Sequence, residues 1–217
     1  MVAMETLKTN IVIEHPDYVN GMNRLALRIL SQDQKVYTIS SLQDKEGKTT
    51  LVANLALALE RLQKKVCVVD VDMLTNKEKS FDHSLVSYLS GIDELSQIII
   101  KENDFDSINS EYSTTSATLL SSKRFTEMVE HLKKEYDVVL LDTPSLETHV
   151  DAMLVAQTSD ALILVVEEAR NTKSKLESLL LILKRNNITV LGTVLNKISN
   201  PRSLGYKPSV NKGSEAY

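Results

Sequence analysis

Five short apolar segments, separated by stretches of helical periodicity, constrain the fold of this chain more than any other feature. The apolar segments are rich in Val and Ile and lie at residues 36–41, 66–70, 138–142, 161–166 and 189–196. Such runs are typical of strands that are buried on both faces. Helical periodicity is found at residues 20–31, 49–62, 121–135, 150–156 and 173–185. Strands that alternate with helices predict an α/β fold with a mostly parallel, twisted sheet flanked by helices.

The length of the chain favours a single domain. With 217 residues, 42% of them apolar, the chain can bury one well-formed core. We expect this domain to span residues 1–199, including an N-terminal segment at 1–19. Residues 82–120 contain two short helical patterns, at 83–89 and 93–101, and are otherwise hard to predict. Residues 200–217 lose the apolar periodicity and are predicted to form a flexible tail.

Composition excludes several classes of protein. The net charge of −4, without a long basic run, argues against a nucleic-acid partner. Glycine accounts for 6 residues, where average usage of roughly 7% would give about 15, which excludes collagen-like and turn-dense all-β chains. The single cysteine, Cys67, cannot form an internal disulfide. No signal-peptide pattern and no apolar run of roughly 18 residues is found, so we expect a cytoplasmic location.

The turn after the first predicted strand has the pattern of a phosphate-binding loop. It reads Ser41-Leu42-Gln43-Asp44-Lys45-Glu46-Gly47-Lys48-Thr49-Thr50 and leads into a predicted helix. In such a turn, backbone N–H groups converge on phosphate oxygens, Lys48 reaches the β- and γ-phosphates, and the Thr49 hydroxyl binds Mg²⁺. Leu42 stands where the usual Walker A pattern has glycine, so the motif is a deviant one. An ordinary strand-to-helix turn that uses the backbone freedom of Gly47 is the alternative.

Three aspartates stand at the ends of two predicted strands. Asp70 and Asp72 end the second strand, two residues apart and hence on the same side of it, and Asp142 ends the third. Ligands bind at the carboxyl ends of strands in open parallel sheets. Like charges are costly to crowd together unless a cation lies among them, so the three carboxylates favour a bound divalent cation. For each aspartate taken singly, a helix N-cap is the alternative.

In order and spacing, these motifs resemble the bacterial tyrosine kinases of capsule and exopolysaccharide synthesis, a group within the Min/Par branch of P-loop ATPases. The similarity covers roughly residues 20–198. The stretches at 119–125 and 191–197 point to the kinases within that branch. The resemblance implies an ATP-dependent protein-tyrosine autokinase that regulates capsular or extracellular polysaccharide synthesis and export, with ATP and Mg²⁺ as cofactors.

The resemblance also assigns roles to individual residues. The nucleotide would be bound by Asp44, Lys45, Glu46, Gly47, Lys48, Thr49 and Thr50, with Asn196 near the adenine. Thr49, Asp72 and Asp142 would hold Mg²⁺. Lys48, Asp70, Asp72 and Asp142 would form the catalytic set, in which Asp70 takes the proton of the attacking tyrosine hydroxyl. Tyr206 and Tyr217 are the candidate phosphate acceptors, and unmodified residues of a disordered tail are the alternative.

Partners follow from the same resemblance. Kinases of this family phosphorylate one another within a ring and depend on a membrane-spanning polysaccharide co-polymerase as an adaptor. We therefore expect a homo-oligomer, for which the resemblance implies a ring, held at the inner face of the cell membrane through that partner. A cognate tyrosine phosphatase would remove the phosphate.

Differences from the family pattern keep two alternatives open. Asp44-Lys45 replaces the usual Pro-Gly of the turn, and Arg24 and Arg28 are spaced four apart in a contact helix where the family has three. With Gly47 as its one glycine, the turn is expected to be stiffer than usual and to bind ATP more weakly. A Min/Par-like switch ATPase is one alternative, against which Gln43 counts because such ATPases typically have lysine there. A weakly active or inactive regulatory subunit of the polysaccharide-export complex is the other.

Overall fold

A seven-stranded sheet forms the centre of the computed structural model, which describes residues 13, 15–75, 80–168 and 170–198. Its strands are β1 (Val36–Ser41), β2 (Val66–Asp70), β3 (Ile99–Ile100), β4 (Asp106–Ile108), β5 (Val138–Asp142), β6 (Ala161–Glu167) and β7 (Val190–Asn196). They are ordered β3-β4-β2-β5-β1-β6-β7, and every pair is parallel except β3 with β4. The predicted mostly parallel sheet is confirmed.

Eight helices lie on the two faces of the sheet within the described ranges. They are α1 (Pro16–Leu30), α2 (Lys48–Arg61), α3 (Leu85–Leu89), α4 (Leu95–Ile98), α5 (Ser116–Leu120), α6 (Lys123–Glu135), α7 (Val150–Thr158) and α8 (Lys173–Arg185). On one face, α1 and α2 bury Ile39 and Val165 of the sheet. On the other face, Phe125 of α6 packs in a cluster with Leu141, and α7 and α8 cover Leu164. Burial on both faces explains why β5 and β6 are almost wholly apolar.

Element boundaries follow local chemistry. The five predicted strands are confirmed to within one residue, and α8 has the predicted bounds. Helix α1 begins at Pro16, four residues earlier than expected, because Pro is favoured in the first turn and Asp17 suits the positive end of the helix dipole. Helix α3 begins later than predicted because the Ser84 and Ser87 side chains form a capping box.

The region 82–120 departs most from the prediction. The predicted helix over 93–101 is wrong beyond Ile98, since Ile99 and Ile100 pair with β4 instead. Strands β3 and β4 and helix α5 were not predicted, because two to five residues are too few to show a period. Most of the predicted N-terminal segment and the whole predicted tail, including Tyr206 and Tyr217, lie outside the described residues.

Hydropathy gives no indication of a membrane span. Among the helices of the described residues, none combines the length and the apolar character that crossing a bilayer requires.

Removal of the Phe125 ring tests the packing of α6 against the sheet. Phe125 is fully buried, so Phe125→Ala should lower the free energy of unfolding by about 3–5 kcal/mol. Thr126→Ala, at the exposed neighbouring position, is the control and should change it by less than about 0.5 kcal/mol. Urea unfolding followed by circular dichroism measures both. A loss below about 1 kcal/mol for Phe125→Ala would show that this side chain does not anchor the helix.

Candidate active site

The carboxyl ends of β1, β2 and β5 bring the predicted site residues to one edge of the sheet. Asp70 of β2 and Asp142 of β5 are register partners, and Asp142 is also paired with Ile39 of β1. Helix α2 starts seven residues beyond the end of β1, so Lys48 and Thr49 lie in its first turn beside these carboxylates. The convergence that the sequence predicts is therefore present in the structure.

The turn between β1 and α2 needs a glycine at position 47. Gly47 has a φ angle of 95°, in the left-handed region that glycine adopts without a steric penalty. A Cβ atom added there would also overlap the Asn196 side-chain amide. Lys45 has a φ angle of 64° and is thus left-handed without being glycine.

The Lys48 ammonium lies beneath the turn. Its Nζ donates a hydrogen bond to Ser41 Oγ at 3.0 Å, and Ser41 Oγ donates to the Gln43 carbonyl at 2.5 Å. Ser41, the last residue of β1, is thereby hydrogen-bonded both to Lys48 and to the turn. This position places a positive charge inside the loop that would surround a phosphate group.

Asp142 is an ionisable group of the site whose pKa is strongly perturbed. Its side chain is buried, with 7% of the residue exposed, and accepts a hydrogen bond from the Thr49 hydroxyl. Burial, followed by the negative charge of Asp70, raises its pKa to about 7. Thr49 and Lys48 oppose this rise, and Asp72 adds to it.

Asp72 lies beyond the strand in a turn of its own. Strand β2 ends at Asp70, so the expectation that both aspartates project from one side of a strand is wrong for Asp72. The Asp72 N–H donates to Asp70 Oδ1 at 2.9 Å. The Asp72 carboxylate accepts the N–H groups of Leu74 and Thr75, both at 3.1 Å, and the Thr75 hydroxyl at 2.6 Å. Asp72 thus caps the turn formed by residues 72–75.

The residues around Asp142 fit a magnesium ion. Its Oδ1 is buried and has no hydrogen-bond partner among the described residues, while the Thr49 hydroxyl contacts the same carboxylate. No group of three or more His, Cys, Asp or Glu side chains in the described part of the chain is arranged as a complete metal site. Mg²⁺ does not require one, because it is usually held by one or two carboxylates together with substrate phosphates and water.

A second set of contacts to the turn was missed in the sequence. The Asp44 carbonyl accepts a hydrogen bond from Arg170 Nη1 at 2.7 Å. The next two carbonyls accept from Lys197 Nζ at 2.6 Å and from Asn196 Nδ2 at 2.8 Å. Arg170 and Lys197 follow the carboxyl ends of β6 and β7, which border the same crevice, and this placement is the signal that could have identified them.

Glu46 anchors the turn from within. Its side chain is fully buried, and its carboxylate accepts hydrogen bonds from the N–H groups of Gln43 at 3.1 Å and Glu167 at 3.3 Å. The Asn171 side-chain amide donates to it as well. A buried carboxylate is tolerated when its oxygens are satisfied in this way.

Comparisons with known proteins identify related sequences and related folds. Residues 34–191 match the family described as AAA domain. The tyrosine-protein kinase CpsD of Streptococcus pneumoniae serotype 4 is 32% identical over 179 residues, which cover 78% of this chain and 79% of the relative. The kinase domain of Escherichia coli tyrosine kinase ETK superposes with a TM-score of 0.77 at 24% identity, over 92% of this chain and 78% of that one. The septum site-determining protein MinD of Pyrococcus horikoshii, complexed with Mg-ADP, gives a TM-score of 0.65 at 23% identity, over 76% and 71%.

The raised pKa of Asp142 predicts how stability depends on pH. Between the ordinary value of 3.8 and about 7, the native state holds a proton that the unfolded state has lost, so stability falls as the pH rises through this window. The fall is up to about 1.4 kcal/mol per pH unit, and Asp142→Asn should abolish it. Urea unfolding at pH 4 to 8, with a chelator and without nucleotide, measures both proteins. Asp33→Asn, at an exposed position, controls for the loss of one carboxylate. Parallel curves for Asp142→Asn and the unmodified protein would contradict the prediction.

Proposed function

This chain belongs to the AAA domain family and to the bacterial tyrosine-protein kinases, and on that basis we propose that it is an ATP-dependent protein-tyrosine autokinase regulating capsular or extracellular polysaccharide synthesis and export. The observation that carries the proposal is the convergence of Lys48 and Thr49 with Asp70 and Asp142 at one edge of the sheet. Phosphoryl transfer depends on positioning and charge neutralisation, and these four side chains can provide both.

In this proposal, residues 44–50 bind the phosphates of ATP. The N–H groups of the turn and of the first turn of α2 are the donors, since helix N-termini favour anions. Lys48 exchanges the Ser41 hydroxyl for the β- and γ-phosphates. Asn196 borders the turn, which supports its placement near the nucleotide, with the adenine as its predicted contact.

Thr49, Asp72 and Asp142 are proposed to hold Mg²⁺. When bound, the ion would neutralise charge on the β- and γ-phosphate oxygens. The Asp142 carboxylate has an oxygen without a partner among the described residues, and Thr49 lies against it. Asp72 would reach the ion from the turn that follows β2.

Asp70 is proposed as the base of the reaction. The tyrosine oxygen attacks the γ-phosphorus, the bond to the bridging oxygen of ADP breaks, and the hydroxyl proton passes to the Asp70 carboxylate. The hydrogen bond from the Asp72 N–H orients Asp70. Tyr206 and Tyr217 are the proposed acceptors.

The proposed partners follow from the family. We expect a homo-oligomer, a membrane-spanning polysaccharide co-polymerase as adaptor at the inner face of the cell membrane, a cognate tyrosine phosphatase, and no nucleic acid. On α1, Arg24 and Arg28 are exposed, and Leu27 between them is 58% exposed. An apolar side chain flanked by two cations suits a subunit contact and supports oligomer formation through this helix.

A switch ATPase of the Min/Par type is the second candidate. The similarity of the fold to MinD favours it, whereas Gln43 in place of lysine counts against it. A weakly active or inactive regulatory subunit of the polysaccharide-export complex is the third, supported by the presence of only two tyrosines, Tyr206 and Tyr217, in the predicted tail.

Incubation with labelled ATP and Mg²⁺, with and without the cytoplasmic segment of the adaptor, distinguishes the three functions. We expect phosphotyrosine on this chain, increased by the adaptor segment. Lys48→Met should lower the incorporation by on the order of 100-fold, because it removes the cation from the phosphate turn. Lys184→Met, on the exposed end of α8, is the matched control and should leave incorporation unchanged.

The acceptors are tested in the same assay. Tyr206→Phe and Tyr217→Phe each remove a hydroxyl without changing the ring, so the double variant should lose most of the phosphotyrosine. Phosphate release without labelled protein would support the switch ATPase instead. Nucleotide binding without either product would support the regulatory subunit.

A further inference from the structure

Three successive carbonyls of the phosphate turn, those of Asp44, Lys45 and Glu46, are bound by side chains from β7 and from the segments that follow β6 and β7. The donors are Arg170, Lys197 and Asn196, at distances of 2.7, 2.6 and 2.8 Å. They stand 126 to 152 positions away in the sequence. The carbonyls of these three consecutive residues are therefore all held from this one side of the crevice.

Peptide geometry converts this contact into an orientation of N–H groups. In a trans peptide, the carbonyl of one residue and the N–H of the next point in opposite directions, and the described residues contain no cis peptide. Carbonyls fixed toward these donors direct the N–H groups of Lys45, Glu46 and Gly47 away from them. These N–H groups are the ones with which such a turn binds phosphate.

Lys45 makes the contact to Lys197 especially important. Its φ angle of 64° is one that L residues with a Cβ atom disfavour. A glycine at this place would adopt it freely, and this chain has lysine. The Lys197 ammonium binds the carbonyl of this same residue, so it favours the conformation that the side chain at position 45 opposes.

Glu167 and Glu46 connect the cationic donors to the turn. The Glu167 carboxylate contacts Lys197 Nζ at 3.0 Å and Arg170 Nη1 at 3.6 Å. The N–H of the same residue donates to the buried Glu46 carboxylate. The end of β6 thus positions the cations and the turn relative to each other.

We propose that Arg170, Asn196 and Lys197 are positioning residues that hold the turn in its phosphate-binding conformation, and that Lys197 compensates for the missing glycine at position 45. The proposal rests on the proposed function, because it concerns the same nucleotide site. If these residues position the turn, the affinity for phosphates depends on side chains that need not contact the phosphates.

A double-mutant cycle between Lys197 and Lys45 tests this proposal. Calorimetry measures the binding of ATP with Mg²⁺ and of inorganic tripolyphosphate, which has no base or sugar. Lys197→Ala should weaken both ligands by about fivefold to tenfold, because it frees the turn to leave the strained conformation. In the Lys45→Gly background, the same substitution should cost less than about twofold, because glycine needs no such support.

Further variants distinguish a positioning role from the effect of a lost charge and from a loss of folding. Lys173→Ala also removes one positive charge, from an exposed side chain that pairs with Glu177, and should change affinity by less than about twofold. Arg170→Ala removes the donor to the Asp44 carbonyl and should weaken both ligands about as much as Lys197→Ala. Thermal unfolding of each variant verifies that it is folded.

Each other outcome overturns the proposal. An equal loss with the native lysine at position 45 and in the Lys45→Gly background would mean that the charge of Lys197 acts directly on the ligand. A loss for ATP without a loss for tripolyphosphate would place Lys197 on the nucleoside. If Lys197→Ala binds both ligands as the unmodified protein does, while Lys48→Met abolishes binding, the positioning role is wrong and the nucleotide site stands. Failure of the unmodified protein to bind either ligand would overturn the nucleotide site itself.

Discussion

Parallel pairing of β1 with β5 on one side and β6 on the other decides what surrounds the turn that follows β1. Through β5 and β2, the turn faces Asp142 and Asp70. Through β6 and β7, it faces Arg170, Asn196 and Lys197. The strand order thus gives the crevice one acidic side and one side of hydrogen-bond donors. A turn that followed an edge strand would have had a neighbouring strand on one side only, and so would have lacked either the acidic side or the donor side.

The two sides act on the turn through different physics. On the acidic side, Asp142 is buried and its pKa is raised to about 7. The electrostatic free energy of this side is therefore highest when its carboxylates are ionised and no cation is bound. On the donor side, the hydrogen bonds are satisfied by the protein itself. In the proposed function, the catalytic chemistry lies on the acidic side, and the donor side determines the conformation of the turn. A stiff turn, as the shortage of glycine predicts, stays a prediction, and these contacts would restrain the turn further.

Much of this architecture could be predicted because it depends on local patterns. Strands buried on both faces are continuous apolar runs, and carboxyl ends of parallel strands meet, which is enough to bring Lys48, Asp70 and Asp142 together. The contacts of Arg170 and Lys197 could not be predicted in the same way, because their partners are backbone carbonyls 126 and 152 positions away in the sequence. The position of Asp72 was mispredicted because the period of two was extended beyond Asp70, where β2 ends and a turn begins.

The altered turn bears on activity differently once its contacts are considered. Asp44 and Lys45 differ from the usual Pro-Gly, but both contribute their carbonyls to the donor side, and neither occupies the place of a reacting group. Lys48, Thr49, Asp70 and Asp142 still converge at one edge of the sheet, where the proposed phosphoryl transfer would use them. A substitution on the donor side would change the free energy of the phosphate-binding conformation of the turn, and hence the affinity for nucleotide. It would change the rate of the chemical step less. The unusual turn sequence is therefore an argument for weaker nucleotide binding rather than for a catalytically inactive subunit.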